Sequence, residues 1–559
     1  ESGLFIVAPR ADLTMAPRGA DTAAALDADI EISGRRSRIV ADLTLPAEGR
    51  PAHGRVKITG LNLAALGRNA KIFSALKIVD LTLNLSADVK FTGTHLATVT
   101  FQARGQGGIT GWGPKGGLLN LGTLAADGSY DAGTGRYAIA NASLNGGQII
   151  STLKSAGELR FGVNNVLELA STETAIRDIT LDMPDEFARP VHIARVDLSG
   201  HYTPSSKEAV LDKFAVAGGI LRGSATGRLQ FGEKSPAIIL DADVNAFPVR
   251  QGLAIWPHSL ADGARDWIDR NISTGSTGPF TIRVNIPEGA LDEPALADGQ
   301  LVVAFPITEA SATYIKGLTP LTAVNGRGEL NSDKFTATLD TGMIGPIKLV
   351  SGQALIPDLH KPSTVGIFTA NLEGAMSDVL AVVDMPPLKY PSRFQISPSD
   401  TGGTVKLDLS IKVPMLKDVR VEDIGMAIGG VTSGLNIALS KTARISDGAI
   451  TFQITNDRLH AAGTASYGAA VLQLDWTELF SAVNGITTTI DARTTLNEAA
   501  RKSFGVDLDG LVDGAIPLHA KVQGFRGQPR HADIIADLTP ANLHINLINL
   551  QKPAGKAAS

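Results

Sequence analysis

No residue type in this chain is spaced for covalent chemistry. Cysteine is absent, which removes disulfides, thiolate metal sites and thiol nucleophiles together. The ten histidines are scattered. His192 and His201 are the nearest pair, and His519, His531 and His544 make a looser group, but neither set has a metal-ligand spacing such as H-E-x-x-H. His544 alternates with apolar residues and reads as a surface strand position. No G-x-S-x-G nucleophile elbow occurs. Gly111-Trp-Gly-Pro-Lys-Gly116 fits G-x-G-x-x-G by letter, but a proline sits inside it and turn residues follow where a phosphate-binding helix is required. Asp and Glu are abundant without any marked pair. The expectation is a protein that is not an enzyme and uses no metal and no cofactor.

What does recur is an alternation. Leu81, Leu83, Leu85, Ala87, Val89 and Phe91 interleave with Thr82, Asn84, Ser86, Asp88 and Lys90. Successive strand residues point to opposite sides, so this is a strand with one apolar and one wet face. Ile238, Leu240, Ala242 and Val244 repeat the pattern, as do Phe280, Ile282, Val284 and Ile286, and Val405, Leu407, Leu409, Ile411 and Val413. Between them come turn signals such as Asp127-Gly128, Asn145-Gly146-Gly147 and Gly218-Gly219.

Composition sets the frame. With 43% apolar and 19% charged residues the chain buries a sizeable core and is not disordered. Its 59 glycines beside only 5% aromatics fit many tight turns between short strands. A net charge of −5 argues against a nucleic-acid partner. No stretch reaches the roughly 18 apolar residues of a membrane span, and no signal peptide opens the chain. Because it starts on Glu1, it is expected to be a processed or trimmed piece.

A closed β core stops growing at about 250–300 residues, whereas this alternation runs far beyond that length. The predicted fold is therefore mainly β: a long curled antiparallel sheet forming an apolar groove, with a few short amphipathic helices lying on or capping it. Three segments are predicted: 1–250 with a helix near 61–76, 251–390 opened by a helix over 256–275, and a β segment over 391–559. Short helices are also expected at Met376–Val383 and Asn497–Phe504.

The 256–275 stretch is the clearest helical pattern. Leu260, Ala264, Trp267, Ile268 and Ile272 share one stripe. Ser259 is placed to cap it, with Asp262 three residues on, and Asp266 and Arg270 form an i,i+4 pair. Trp256, Arg265, Trp267 and Ile268 are read as the residues that seat this helix on the sheet.

This stretch, Trp-Pro…Gly-Ala-Arg-Asp-Trp-Ile…Asn-Ile…Gly, resembles a segment of bacterial envelope proteins of the AsmA-like superfamily, YhdP-type branch. Leu380-Ala-Val-Val-Asp-Met-Pro-Pro-Leu-Lys-Tyr with Phe394-Gln-Ile-Ser-Pro and Thr401-Gly-Gly is a second similarity. Ala536-Asp-Leu-Thr-Pro-Ala-Asn-Leu with Lys552-Pro-Ala-Gly is a third. The resemblance implies a curled β groove, similar to bridge-like lipid transfer proteins, in the periplasm of a Gram-negative bacterium. It also implies an amino-terminal inner-membrane anchor outside this chain, and phospholipid movement towards the outer membrane.

An apolar trough suits acyl chains better than it suits catalysis, which uses small pockets with convergent polar groups. The expected groove lining is Leu81, Leu83, Leu85, Val89, Phe91, Ile238, Leu240, Val244, Phe280, Ile282, Val284, Val405, Leu407, Leu409 and Ile411. The expected function is a periplasmic lipid-conducting groove protein for phospholipid transport between inner and outer membranes. Its partners would be phospholipid acyl chains, the two membranes and other envelope proteins. The alternative is a non-catalytic β-rich adaptor or assembly factor for outer-membrane proteins.

Overall fold

The structure is a computed structural model. It describes residues 6–559 except 47–50, 70–75, 94, 112–115, 163–165, 316, 362, 387, 394–395, 417–418, 421–422, 439–442, 484, 527 and 546–549. Most of the Gly111–Gly116 motif lies outside the described residues, as do Ile72 and Phe73 of the expected first helix, Phe394 and Gln395, and Asn546 and Leu547.

The chain is mainly β. Among the described residues thirty strands belong to one antiparallel sheet, and Val512–Asp513, Asn542–Ile545 and Leu550–Lys552 form a separate three-stranded one. Most strands pair with their neighbours in sequence, while Ala237–Val244 pairs with Phe280–Ile286 and Ile486–Leu496 with Ile516–Phe525. Two compact units result: Glu1–Arg270 with Ser276–Phe305, and Asn271–Gly275 with Pro306–Ser559.

In the first unit the register carries the alternation from strand to strand. Ala11 pairs with Ala28, Ala28 with Ile39, Ile39 with Ile58, Ile58 with Leu85 and Leu85 with Ala103. The row continues through Ala126, Ala142, Leu153, Ile176, Val196, Val216, Gly223 and Val244 to Phe280. Directly paired residues of an antiparallel ladder point to the same side. One face of this unit is therefore apolar from Val7–Arg18 to Phe280–Ile286.

The second unit repeats the device. Leu349 pairs with Leu372, Leu372 with Leu407, Leu407 with Gly430 and Gly430 with Phe452. The row goes on through Ala461, Trp476, Ile490 and Val522 to Ala532.

Among the described residues six short α-helices interrupt the strands: α1 Leu63–Asn69, α2 Val249–Ile255, α3 Asp262–Asn271, α4 Met376–Val383, α5 Tyr390–Arg393 and α6 Glu498–Ser503. The boundaries of α4 match the expected ones, and α6 falls inside 497–504. Asn62 starts α1 by accepting the Ala65 N–H on its Oδ1 (2.9 Å), and Asn497 does the same for the Ala500 N–H (2.8 Å).

The 256–275 helix is corrected in two ways. First, it is not one helix. Trp256 ends α2 in an extended conformation (ψ 116°), as a residue before proline is pushed to do. α3 begins only at Asp262 and stops at Asn271, where Ile272–Thr277 turns into a strand. Second, α3 buries none of its residues: Trp267 is 44% and Leu260 61% exposed. Ser259 caps nothing, because its hydroxyl donates to Glu186 Oε2 at 2.7 Å. Arg270 donates to the Asp266 carbonyl oxygen at 3.0 Å instead of its carboxylate. Trp256 keeps a structural contact: its Nε1 donates to the Leu260 carbonyl at 2.7 Å, while Arg265 Nε reaches the Trp256 carbonyl at 3.2 Å.

Candidate functional site

The candidate site is the apolar sheet face, taken unit by unit. The structure puts Leu81, Leu83, Leu85, Val89, Phe91, Ile238, Leu240, Val244, Phe280, Ile282 and Val284 on one face of the first unit, joined by the ladders that link Leu85 to Val244 and Phe280. Val405, Leu407, Leu409 and Ile411 lie on the apolar face of the second, paired with Gly374, Leu372, Ala370 and Phe368.

Burial along this face is uneven, and the helices decide it. Leu81 and Leu83 are buried at 4% and 8% exposure. They lie where α1 covers the strand ends, its Ala65 joining Ala28, Ile30 and Ile32 in one cluster. Val405 and Leu407 sit in a cluster with Ile347, Leu349 and Leu372, closed over by Met376, Val379 and Val382 of α4. A third cluster gathers Ala470, Leu496 and Ile516 around Ala500 of α6. Away from these covers the same alternation leaves apolar side chains only half-buried, as at Leu85, Val89, Leu240 and Ile411.

Among the described residues much of this remainder stays partly accessible to solvent. In the first unit, residues of successive strands from Arg136–Asn145 to Ala237–Val244 line one cavity of about 680 Å³, among them Tyr137, Leu159, Leu198, Leu211, Leu229 and Leu240.

The opposite face is laced with cross-strand ion pairs. Arg38 meets Asp27 at 2.6 Å, Arg177 meets Asp197 at 2.6 Å and Arg55 meets Asp88 at 3.2 Å. The Arg38 guanidinium holds the Asp27 carboxyl below the ordinary aspartate range. Several histidines each meet a polar partner of their own. His201 pairs with Asp212 at 3.0 Å, His519 with Asp491 at 2.8 Å and His531 with Asp533 at 3.2 Å, while His192 meets the Thr180 hydroxyl at 3.0 Å. Among the described residues no group of three His, Asp or Glu is placed to hold a metal ion.

Two polar interruptions of the apolar face were not foreseen from sequence. In the first unit Ser155, Thr172 and Thr174 form a triangle of hydroxyls 2.8–3.1 Å apart. In the second, Glu478 is 2% exposed and accepts from Thr487 Oγ1 (2.7 Å) and Thr488 Oγ1 (2.6 Å), with the Arg526 N–H donating to Thr487 Oγ1 behind it. Glu478 pairs across the ladders with Leu459 and Thr488. Its one sequence signal is a carboxylate at an inward-facing position of Leu472-x-Leu474-x-Trp476-x-Glu478.

The segments that carry the family resemblance are anchors of the covers. Asp384 closes α4 by accepting from Ser392 N and Oγ, at 2.9 and 2.6 Å, and these bonds hold its carboxyl below the usual range. Ala541 is fully buried against α6. Lys552, 6% exposed, donates to the carbonyls of Thr539, Pro553 and Lys556. Arg501 of α6, 3% exposed, does likewise for Leu496, Val512 and Gly514. A buried cation is tolerable only with such partners.

A large antiparallel sheet with an apolar face and a few short helical covers defines a class of sheet scaffolds. Residues 47–559 match the family described as YhdP protein, and the chain belongs to that family, whose members are bacterial envelope proteins. No characterised protein matches the chain significantly. Among the described residues no helix is long and apolar enough to cross a membrane.

Proposed function

We propose that this chain conducts lipid: its apolar face carries the acyl chains of phospholipids passing through the periplasm between inner and outer membranes, while their headgroups stay in water. The observation that carries this reading is the apolar row, continuous across the ladders of each unit and, among the described residues, only half-buried away from the helices. Family membership supports it, since the family is of the lipid-transport type. The sheet would curl around its cargo, and the longer protein would be anchored in the inner membrane.

The energetics suit the task. A two-chain phospholipid carries about 30 CH₂ groups at ~0.8 kcal/mol each, so crossing water bare costs on the order of 20 kcal/mol. A lining of Ala, Val, Leu and Ile that covers the chains removes most of that barrier. It needs no reaction chemistry, and among the described residues of this face the carboxylate in prominent position is already engaged by threonines.

The test is purification from bacterial membranes under mild conditions, then lipid extraction and mass spectrometry. More than one phospholipid per chain is expected. A soluble, stable, lipid-free protein would overturn the proposal.

A second reading has its own observation. Strand Gln528–Ala536 is exposed along nearly its whole length and presents Ile534 and Ile535 at 62% and 63% exposure. Its one described ladder is with Ile516–Phe525. An adaptor that receives a strand of an outer-membrane protein would use such an edge. It predicts no bound lipid and loss of function when proline replaces Ile534.

A further inference from the structure

In the first unit the hydroxyl triangle and the open cavity share a wall. Thr172 lines the cavity, and its Oγ1 lies 3.1 Å from Ser155 Oγ and 2.9 Å from Thr174 Oγ1. Along the ladders Thr172 pairs with Gly200, Gly200 with Leu211, Leu211 with Gly227 and Gly227 with Leu240. Its side chain therefore stands on the same side as those of Leu211 and Leu240, and the two glycines leave the floor low on either side of Leu211. Thr172, Leu198, Ala209, Leu211, Leu229 and Leu240 are all half-buried. None of them belongs to the three clusters that helices close. The cavity measures about 680 Å³, inside the roughly 300–1,000 Å³ of a discrete ligand site. It reaches across six strand spacings, from Arg136–Asn145 to Ala237–Val244, or ~29 Å at ~4.8 Å each. One acyl chain spans about half of a bilayer's hydrocarbon core, ~15 Å, and so lies along the cavity with room to spare.

The polar chemistry on this wall selects the end of that chain. The charged groups that line the cavity are already engaged: His201 by Asp212 at 3.0 Å and Arg228 by Glu208 at 3.5 Å. The Tyr137 hydroxyl donates to the Ser171 carbonyl at 3.2 Å. A phosphate is best held by an unengaged cation, whereas a neutral carbonyl oxygen needs only one hydroxyl proton. The triangle supplies it. Three hydroxyls share three protons, so when Thr172 turns its proton to a ligand the other two contacts are kept. We propose that Thr172 marks a resting site for one ester-linked acyl chain: the ester carbonyl accepts from the Thr172 hydroxyl, and the chain lies over Leu198, Leu211, Leu229 and Leu240. This site rests on the lipid-conducting reading and deepens it by naming the linkage that is recognised.

The experiment exchanges the purified chain against vesicles holding equal amounts of diester phosphatidylethanolamine and its dialkyl ether analogue, which lacks the carbonyls. Both carry deuterated chains, so that resident lipid is not counted, and lipid is kept below one molecule per chain so that the tightest site fills first. Mass spectrometry of the re-isolated protein reads the ester-to-ether ratio, with circular dichroism and melting as checks of fold. The unsubstituted chain is expected to enrich the ester several-fold. Thr172→Val, which keeps the shape and removes the hydroxyl, is expected to bring the ratio to that of the vesicles, and Thr172→Ser to preserve the enrichment. Ala209→Trp fills the cavity and leaves the hydroxyls in place; it is expected to abolish the enrichment independently. A ratio equal to that of the vesicles in the unsubstituted chain would overturn the site, as would full enrichment in folded Thr172→Val or folded Ala209→Trp. A purely structural triangle would change melting in Thr172→Val and leave the ratio where it was. An unsubstituted chain that takes up neither lipid would overturn the lipid-conducting reading itself, whereas uptake of both without preference would overturn the site alone.

Discussion

Leu349 and Leu240 are the same residue type on the same kind of apolar strand face, yet they do different work. Leu349 is 2% exposed, packed with Ile347, Leu372, Val405 and Leu407 under α4. Leu240 is half-buried on the wall of the open cavity in the first unit. The first is core and the second is surface that has been made apolar. Alternation alone cannot tell them apart, because it records which way a side chain points and not what lies above it. A one-sided sheet thus divides its labour: short helices close a small part of the face to hold the fold, and under the proposed function the remainder carries cargo.

The comparison is broken most directly at Leu349. Replacing it with alanine removes methyl groups from a closed cluster and is expected to cost about 2–5 kcal/mol. Leu240→Ala loses only partial burial and is expected to cost under about 1 kcal/mol. Chemical denaturation of the two variants checks this, and equal losses would mean that the cavity wall is covered after all. Glu478 comes next. Glu478→Ala removes the carboxylate that accepts from the buried Thr487 and Thr488 hydroxyls, an expected loss of about 1–3 kcal/mol that chemical denaturation reads, and an unchanged stability would show the contact to be idle.

A functional contrast sharpens the same point. Leu240→Asp is expected to fold, because its side chain reaches solvent, and to lower the amount of co-purified phospholipid. Mass spectrometry of the extracted lipid reads the result, and undiminished lipid would remove this stretch of the face from the path.

Glu186 supplies a smaller, pH-dependent effect. The Ser259 hydroxyl, and after it the Ser259 N–H, hold its carboxyl below the ordinary glutamate range. A depressed carboxylate contributes stability above its free value of about 4.3, and that contribution is lost as pH falls through the lower folded value. The melting temperature of the unsubstituted chain should therefore decline more steeply below about pH 5 than that of Glu186→Gln; parallel profiles would show the contact to be idle. Least of all, Arg55→Ala should leave the melting point unchanged, since both partners of Arg55–Asp88 are well exposed.

Much of the sheet could be read directly. The strands around Leu81–Phe91, Ile238–Val244, Phe280–Val284 and Val405–Ile411 show a period of two because water wets one side and not the other. The helix at Met376–Val383 was legible too, since a proline pair follows it. The Trp256 stretch misled for a physical reason. Its apolar spacing is real, but Pro257 forces Trp256 out of helix, and the β-branched Ile272, Thr274 and Thr277 favour strand. The remaining helix, α3, buries none of its residues. The Glu186–Ser259 tie was out of reach because it links positions far apart in sequence through one turn. Glu478 was out of reach as well, since only the register of three ladders reveals that its neighbours are hydroxyls.

The amino-acid order by itself determined strand identity, the apolar and polar faces and the absence of cysteine or motif-based chemistry. These follow from local periodicity and residue type, which need no knowledge of neighbours. Tertiary structure decided the rest: that the alternating faces join row by row into one surface in each unit, and that three helices close small parts of it. Those outcomes depend on register and on what is stacked above a residue. Both are set by contacts between segments far apart in the chain, and no local pattern encodes them.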